Sequence, residues 1–257
     1  MAAIRFSASD SIATITLDKP PANSYDLSMM TEFASAVDDA IAGDARVVIV
    51  NSASEKFFCA GADVKKFLEG DVDENMEMIR TSQAAFKRMA AASQVFIAHI
   101  NGHALGGGLE VALACDLRYA NAGSYKLGTP EVTLGLLPGN GGTQRLTRMI
   151  GPARALDVLI TGRAYSPDEA LGLGVVSAVI EADGAGDKVQ AIAQRFAAGP
   201  AVAQAAIKRC VYEGGQLSLD DGLALEAREM EGLFRSEDAL EGMTAFAEKR
   251  QARFTGA

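Results

Sequence analysis

Residues Gly106, Gly107 and Gly108 lead into Leu109-Glu110-Val111-Ala112-Leu113-Ala114-Cys115, a stretch that reads as a helix apolar on every face. A helix with no polar face has to be buried. Glycine weakens a helix start by about 1 kcal/mol per residue against alanine. Three in succession therefore mark a backbone that comes close to something, either a packed neighbour or a ligand. Glu110 falls in the first turn of this helix. A buried carboxylate without partners is costly or keeps its proton, and the helix N-terminus offsets only part of that cost. Two readings stay open, a functional carboxyl and a structural salt bridge.

The flanking pattern is that of stacked α/β units. Ile12, Thr14 and Thr16 alternate with Ala13, Ile15 and Leu17, a strand that ends before Pro20 and Pro21. Leu27, Met30, Phe33, Ala34, Val37 and Ile41 follow helical spacing up to Gly43, and Val47 to Val50 is a short buried strand. A second cycle has a loop through Ala60-Gly61-Ala62, a helix within Asn75 to Ala92 and a strand over Val95 to Ile100. The glycine turn, the apolar helix to Cys115 and a strand near Leu117 to Ala120 make a third. Ser166-Pro167-Asp168-Glu169 is a capping box with proline at the first helical position. Beyond Gly199-Pro200 helical patterns run to Arg253, so we expect an α/β core over residues 1–198 and a helical segment over 199–257.

Composition narrows the function. With 257 residues, 49% hydrophobic and 22% charged, the chain has the profile of a globular protein, and no apolar run reaches the ~18 residues of a membrane span. Met1 to Asp10 carries neither a secretory signal nor an Arg-rich transit peptide, which points to the cytoplasm. A net charge of −9 argues against nucleic acid as the main partner, yet it is compatible with a polyanionic small ligand held by a lysine or a helix N-terminus. Cys59, Cys115 and Cys210 show no zinc or disulfide spacing and read as buried free thiols. Serine-hydrolase, P-loop, H-E-x-x-H and dinucleotide signatures are missing, and His99, inside an apolar strand, reads as a core histidine.

Two further segments stand out from scaffold. In Phe57-Phe58-Cys59-Ala60-Gly61-Ala62-Asp63 an apolar run ends in small residues, where a ligand can approach free backbone N–H groups; a plain turn is the alternative. Glu131 follows Gly128-Thr129-Pro130 and precedes the glycine- and proline-rich stretch Gly135 to Gly142, the composition of a functional loop, although a surface acid would look the same. Two glutamates whose surroundings separate their protonation states can act as general base and general acid together.

The Ala60–Asp63 segment, the Asn101–Glu110 segment and Pro130 to Leu146, with the ending Glu241 to Arg250, resemble the enoyl-CoA hydratase/isomerase, or crotonase, superfamily over nearly the whole chain. The resemblance implies an α/β, crotonase-like spiral of repeated ββα units with a helical C-terminal oligomerisation segment. It implies a homotrimer or a dimer of trimers. It also implies an acyl-CoA thioester as substrate, with CoA arriving as part of the substrate and no separate cofactor or metal. Carried over by position, the N–H groups of Ala62 and Gly107 would hold the thioester oxygen, where removing one donor typically costs about 3 to 4 kcal/mol. Glu110 and Glu131 would add water across a trans-2-enoyl-CoA, and Ala60, Ala62, Asp63, Val64, Lys65 and Gly139 would contact substrate, with Lys65 near a CoA phosphate.

Isomerases of this superfamily commonly lose the acid that matches Glu110, so the presence of both favours a hydratase; a double-bond isomerase or another enolate reaction is the alternative. A CoA-ester or RNA binding protein without catalysis is the different-class reading, and the intact acids and glycines speak against it. Asn23-Ser24-Tyr25-Asp26 departs from the Asn-Ala-Leu often seen in the family, and Leu68 to Arg80 is poorly matched.

Overall fold

The computed structural model describes residues 2–257, so Met1 lies outside it. The chain opens with a hairpin of β1 (Ile4–Ser9) and β2 (Ile12–Leu17), turned by Asp10 and Ser11 at φ 50° and 63°. Positive φ at both central residues matches the turn to the twist of the two strands. The alternation expected at Ile12 is present in β2, but β1 is an addition to the sequence reading. Only Ile4 of its six residues is buried, so no buried alternation marks it. Helix α1 (Leu27–Ala42) follows, capped by the Asp26 carboxylate, and buries Met30, Phe33 and Val37 as the helical spacing predicts.

Three turns of a spiral come next. The first is β3 (Val47–Ser52), β4 (Phe57–Cys59), α2 (Val64–Glu69) and α3 (Val72–Ala91). The second is β5 (Val95–Ile100), β6 (His103–Leu105) and α4 (Gly107–Ala114). The third is β7 (Leu117–Asn121), β8 (Leu127–Gly128), a 3-10 turn over Glu131–Leu134, α5 (Gly142–Ile150), α6 (Pro152–Thr161) and α7 (Pro167–Leu173). Strand β9 (Ala178–Ile180) and α8 (Ala185–Ala197) close this part. Within each turn the first strand joins a six-stranded sheet, ordered β1-β2-β3-β5-β7-β9, and the second joins a three-stranded parallel sheet, ordered β4-β6-β8. This is the repeated ββα spiral that the resemblance implied.

Apart from the hairpin every pairing in the large sheet is parallel. Both faces of its central strands are covered, which is why Val47–Val50 reads as an unbroken apolar run rather than an alternating one. One face packs on α1, α3 and α4, and the other carries Ile12, Val47, Ile49 and Ile97 against Val189 and Ala193 of α8. Helix α4 is buried along its whole length, as its composition demands. The capping box at Ser166 is formed in both directions, with Glu169 N–H on the Ser166 hydroxyl and Ser166 N–H on the Glu169 carboxylate.

After Pro200 the chain is helical, in α9 (Ala201–Tyr212), α10 (Leu219–Leu233) and α11 (Glu237–Glu248), with one 3-10 turn at Gly214–Gln216. Helix does not extend to Arg253 as the pattern suggested. Lys249 enters the left-handed region at φ 56°, and Arg250 bonds back to both oxygens of Glu241 at 2.6 and 2.7 Å, which turns the tail onto α11. A second difference concerns Cys210: Cys59 and Cys115 are buried, but Cys210 is half-exposed on α9.

One buried cation ties α9 to the spiral. The Lys208 ammonium donates to the carbonyls of Met89 and Gln94, both at 2.7 Å, pairs with Asp116 at 2.8 Å, and lies over the Phe96 ring. Removing one partner of a buried pair leaves the other charge uncompensated, typically at about 3–5 kcal/mol. Lys208→Ala is expected to lose stability of that order, read as a lower urea midpoint; a midpoint equal to that of the parent would show that the pair is dispensable.

Candidate active site

The three segments singled out in the sequence leave the carboxyl ends of three adjacent parallel strands. Ala60–Asp63 follows β4, Gly106–Gly108 follows β6, and Thr129–Glu131 follows β8. In α/β proteins ligands gather at the carboxyl ends of parallel strands. The spiral thus brings to one edge what the chain separates by some seventy residues.

The glycines are required by contacts that a side chain would destroy. Gly61 has φ +93°, and a Cβ there would sit 2.8 Å from the Leu105 carbonyl and 3.3 Å from the Gly107 nitrogen, so the first turn lies directly on the second. A Cβ on Gly106 would come within 2.9 Å of Glu131 Oε1, one on Gly107 within 1.7 Å of the Tyr25 hydroxyl, and one on Gly108 within 2.1 Å of the Cys59 carbonyl. Close packing therefore accounts for the run of glycines, and it leaves particular donors free. Asp63 N–H is held by the Tyr25 carbonyl, and Gly106 N–H by the Gly128 carbonyl, both at 2.8 Å. Among the described residues the N–H groups of Ala62 and Gly107 have no acceptor.

Both glutamates converge on this edge. Glu110 is 1% exposed, and its Oε1 accepts the backbone N–H groups of Asn140 at 2.7 Å and Gly142 at 2.6 Å. Among the described residues it has no salt bridge, so the ion pair that the sequence left open is not formed. Burial pushes its carboxyl up to about 7; Glu131 adds to the rise, while the two amide donors and Arg145 oppose it. Glu131 is half-buried at the start of the 3-10 turn, and its Oε2 has no hydrogen-bond partner among the described residues. Burial raises this carboxyl too. At Glu110 two amide donors limit the rise that burial causes, while Oε2 of Glu131 has no donor.

The other predicted residues lie around the entrance. Ala60 N–H is bonded to the Ala22 carbonyl at 3.0 Å, and Asp63 caps α2 by accepting from Lys65 N–H at 3.0 Å. Val64 and Lys65 are exposed on the first turn of α2. Gly139 is half-buried against Ile79, and its carbonyl accepts from Gln83 at 2.7 Å. His99 is buried with its Nε2 at 2.8 Å from the Asn121 side chain, the core histidine expected. Sequence reasoning gave no role to Tyr25, Asn140, Gly142 or Arg145. The Tyr25 hydroxyl accepts from the Asn140 amide at 2.8 Å, and Arg145 Nη1 donates to the Asn140 carbonyl at 2.8 Å. The one available signal was that Tyr25 departs from the Asn-Ala-Leu pattern.

Chemically, two free amides on touching turns can stabilise a carbonyl oxygen as it gains charge, and two carboxyls of unlike surroundings can exchange protons beside it. Comparison with known proteins gives the family. The Enoyl-CoA hydratase/isomerase family model matches residues 7–257. A probable enoyl-CoA hydratase of Bacillus subtilis is 38% identical over 260 residues, covering 100% of both chains. A short-chain-enoyl-CoA hydratase of Clostridium acetobutylicum is 35% identical, covering 93% of this chain and 92% of its own. The crystal structure of an enoyl-CoA hydratase from Geobacillus kaustophilus superposes with a TM-score of 0.96 at 40% identity, covering 100% of this chain and 98% of that one.

A carboxyl raised from 4.5 to about 7 holds its proton in the folded state after the unfolded chain has lost it. Stability should therefore fall as pH rises from about 4.5 to about 7, by a full cost on the order of 3 kcal/mol. Glu110→Gln removes that term. The variant is expected to melt above the parent at pH 8, with the gap closing towards pH 5; parallel melting profiles across that range would refute the assignment.

Proposed function

Because the chain belongs to the enoyl-CoA hydratase/isomerase family, we propose that it adds water across the 2,3 double bond of a trans-2-enoyl-CoA to give a 3-hydroxyacyl-CoA. The observation that supports this most is the meeting of two free amides with two glutamates in contrasting surroundings. Glu110, whose Oε1 carries two amide donors, acts as base on a water whose oxygen bonds to C3. The C2–C3 π electrons move into the thioester, and its oxygen takes up charge between the N–H groups of Ala62 and Gly107. Glu131, whose carboxyl burial also raises, delivers a proton to C2 as the thioester carbonyl re-forms. Protons and electrons balance within substrate, water and the two acids, so the step calls for no cofactor beyond the CoA of the substrate.

The turn at Ala60–Lys65 is the CoA side in this reading. Lys65 is exposed there and can meet a phosphate against the chain's acidic background. Residues 199–257 serve as the trimerisation segment. Large apolar side chains stay uncovered along it, including Ile207, Val211, Phe234, Leu240 and Phe246, the last 88% exposed, and such a surface on a folded chain marks an interaction face. Among the described residues no helix is long and apolar enough to cross a membrane, and the proposed location is the cytoplasm.

Crotonyl-CoA is the first substrate to assay, by loss of enoyl-thioester absorbance. The parent is expected to turn it over, and Glu110→Gln and Glu131→Gln each to fall by about 10²–10⁴-fold. No turnover of short or long enoyl-CoAs by the parent would refute the hydratase reading. Sedimentation should give a mass of three 26.8 kDa chains or a multiple of it, with Phe246→Asp shifting material to smaller species. A monodisperse monomer would refute the trimer.

A further inference from the structure

Tyr25 has no part in the proton transfers above, yet it touches both turns that carry the free amides and the loop whose N–H groups reach Glu110. Its backbone is laid against the Gly61–Asp63 turn, with its N–H on the Gly61 carbonyl at 3.0 Å and its carbonyl accepting Asp63 N–H at 2.8 Å. Its ring is buried, and its hydroxyl fills the space beside Gly107 that a side chain there would need. That hydroxyl accepts from the side-chain amide of Asn140 at 2.8 Å. Asn140 in turn donates its backbone N–H to Glu110 Oε1 at 2.7 Å.

We propose that Tyr25 is a positioning residue for Glu110: its hydroxyl anchors the Asn140 amide and so holds the Asn140 N–H on the Glu110 carboxylate, while its backbone pins the Ala62 turn. Asn140 stands between Gly139 and Gly141, the latter at φ +100°, and its own polar groups are held from two sides, the carbonyl by Arg145 and the side-chain amide by Tyr25. A leucine, the residue of the Asn-Ala-Leu pattern, has no atom that can bond the amide. The phenol suits the place because burial, Glu110, Cys59 and Glu131 all push its proton affinity well up, so it adds no charge beside the carboxyls. Glu110 is faced by Glu131 from the 3-10 turn, Arg145 from α5 and Tyr25 from the segment before α1. Neither Glu131 nor Arg145 bonds the tyrosine hydroxyl, so its loss acts on Glu110 by loosening the Asn140 N–H, which withdraws a donor from the charged form.

The catalytic part of this proposal rests on the hydratase reading, but the carboxyl titration does not, which keeps the two separable. Glutamate-labelled protein would be titrated by carbon NMR, with the Glu110 signal assigned from Glu110→Gln. Tyr25→Phe is expected to raise the Glu110 midpoint by about half a unit or more. The acid limb of its pH–rate profile on crotonyl-CoA should move the same way, with kcat down about tenfold and KM changed less than about twofold. Asn140→Ala removes the same bond from its other end, so the two substitutions should be non-additive. It carries the titration test by itself if Tyr25→Phe does not fold. An unmoved midpoint in a folded variant, or additive effects, would overturn the proposal; a parent inactive on every enoyl-CoA would overturn the hydratase reading and leave the titration to decide on Tyr25.

Discussion

The structure depends on the contact between two backbone turns, Gly61 against Gly106 and Gly107. At this point the carboxyl ends of β4 and β6 come so close that a methyl group on Gly61 would meet a carbonyl oxygen at 2.8 Å. No side chain lies between them. The consequence is both structural and chemical: the strands can sit side by side in one small parallel sheet, and the N–H groups of Ala62 and Gly107 are left without acceptors on neighbouring turns. An alanine in this run would gain about 1 kcal/mol of helix propensity and meet a clash with backbone, tyrosine or glutamate, so glycine is the less costly residue.

The same burial that shapes the turn sets the acids apart. Both carboxyls lose solvent and both are raised by it, but α5 begins at Gly142, and the Gly142 N–H, with that of Asn140, converges on Glu110. Desolvation wins at Glu110 by a margin that the amides limit, which puts its midpoint at about 7, where a group can both take and release a proton. A fully partnered carboxylate would be more stable and a weaker base. The cost of keeping this group half-compensated falls on the fold, and the large apolar core around it absorbs that cost.

Much of this was readable in the chain because it depends on local pattern. The helical spacing of α1 and the unbroken apolar run of β3 survive in the structure, and Glu110 and Glu131 stand next to glycine turns whose close packing the sequence marks. What escaped has a common cause. Strand β1 is a largely exposed edge with one buried residue, β8 has two residues, and the end of α11 is decided by Arg250 bonding Glu241 nine residues away. Tyr25 and Asn140 are 115 residues apart, and nothing near either one signals the other. Their pairing follows from the closure of the spiral, and periodicity contains no information about it. Even Glu110, which local reasoning did single out, could be separated from a structural salt bridge only when the amides of a distant loop were seen to be its partners.

Helix α4 shows how the site and the C-terminal segment are joined. Its N-terminal end is fixed by the glycine turn, and its C-terminal end runs into Cys115 and Asp116. Asp116 accepts the Phe96 N–H at 2.7 Å and pairs with Lys208 of α9. The helix that carries Glu110 is therefore clamped at both ends, by backbone contact on the side of the chemistry and by a buried ion pair on the side of the helical tail. A carboxyl that must stay within hydrogen-bonding distance of two amides tolerates little displacement along the helix axis. Anchoring the far end of α4 to α9 through Asp116 and Lys208 supplies that restraint.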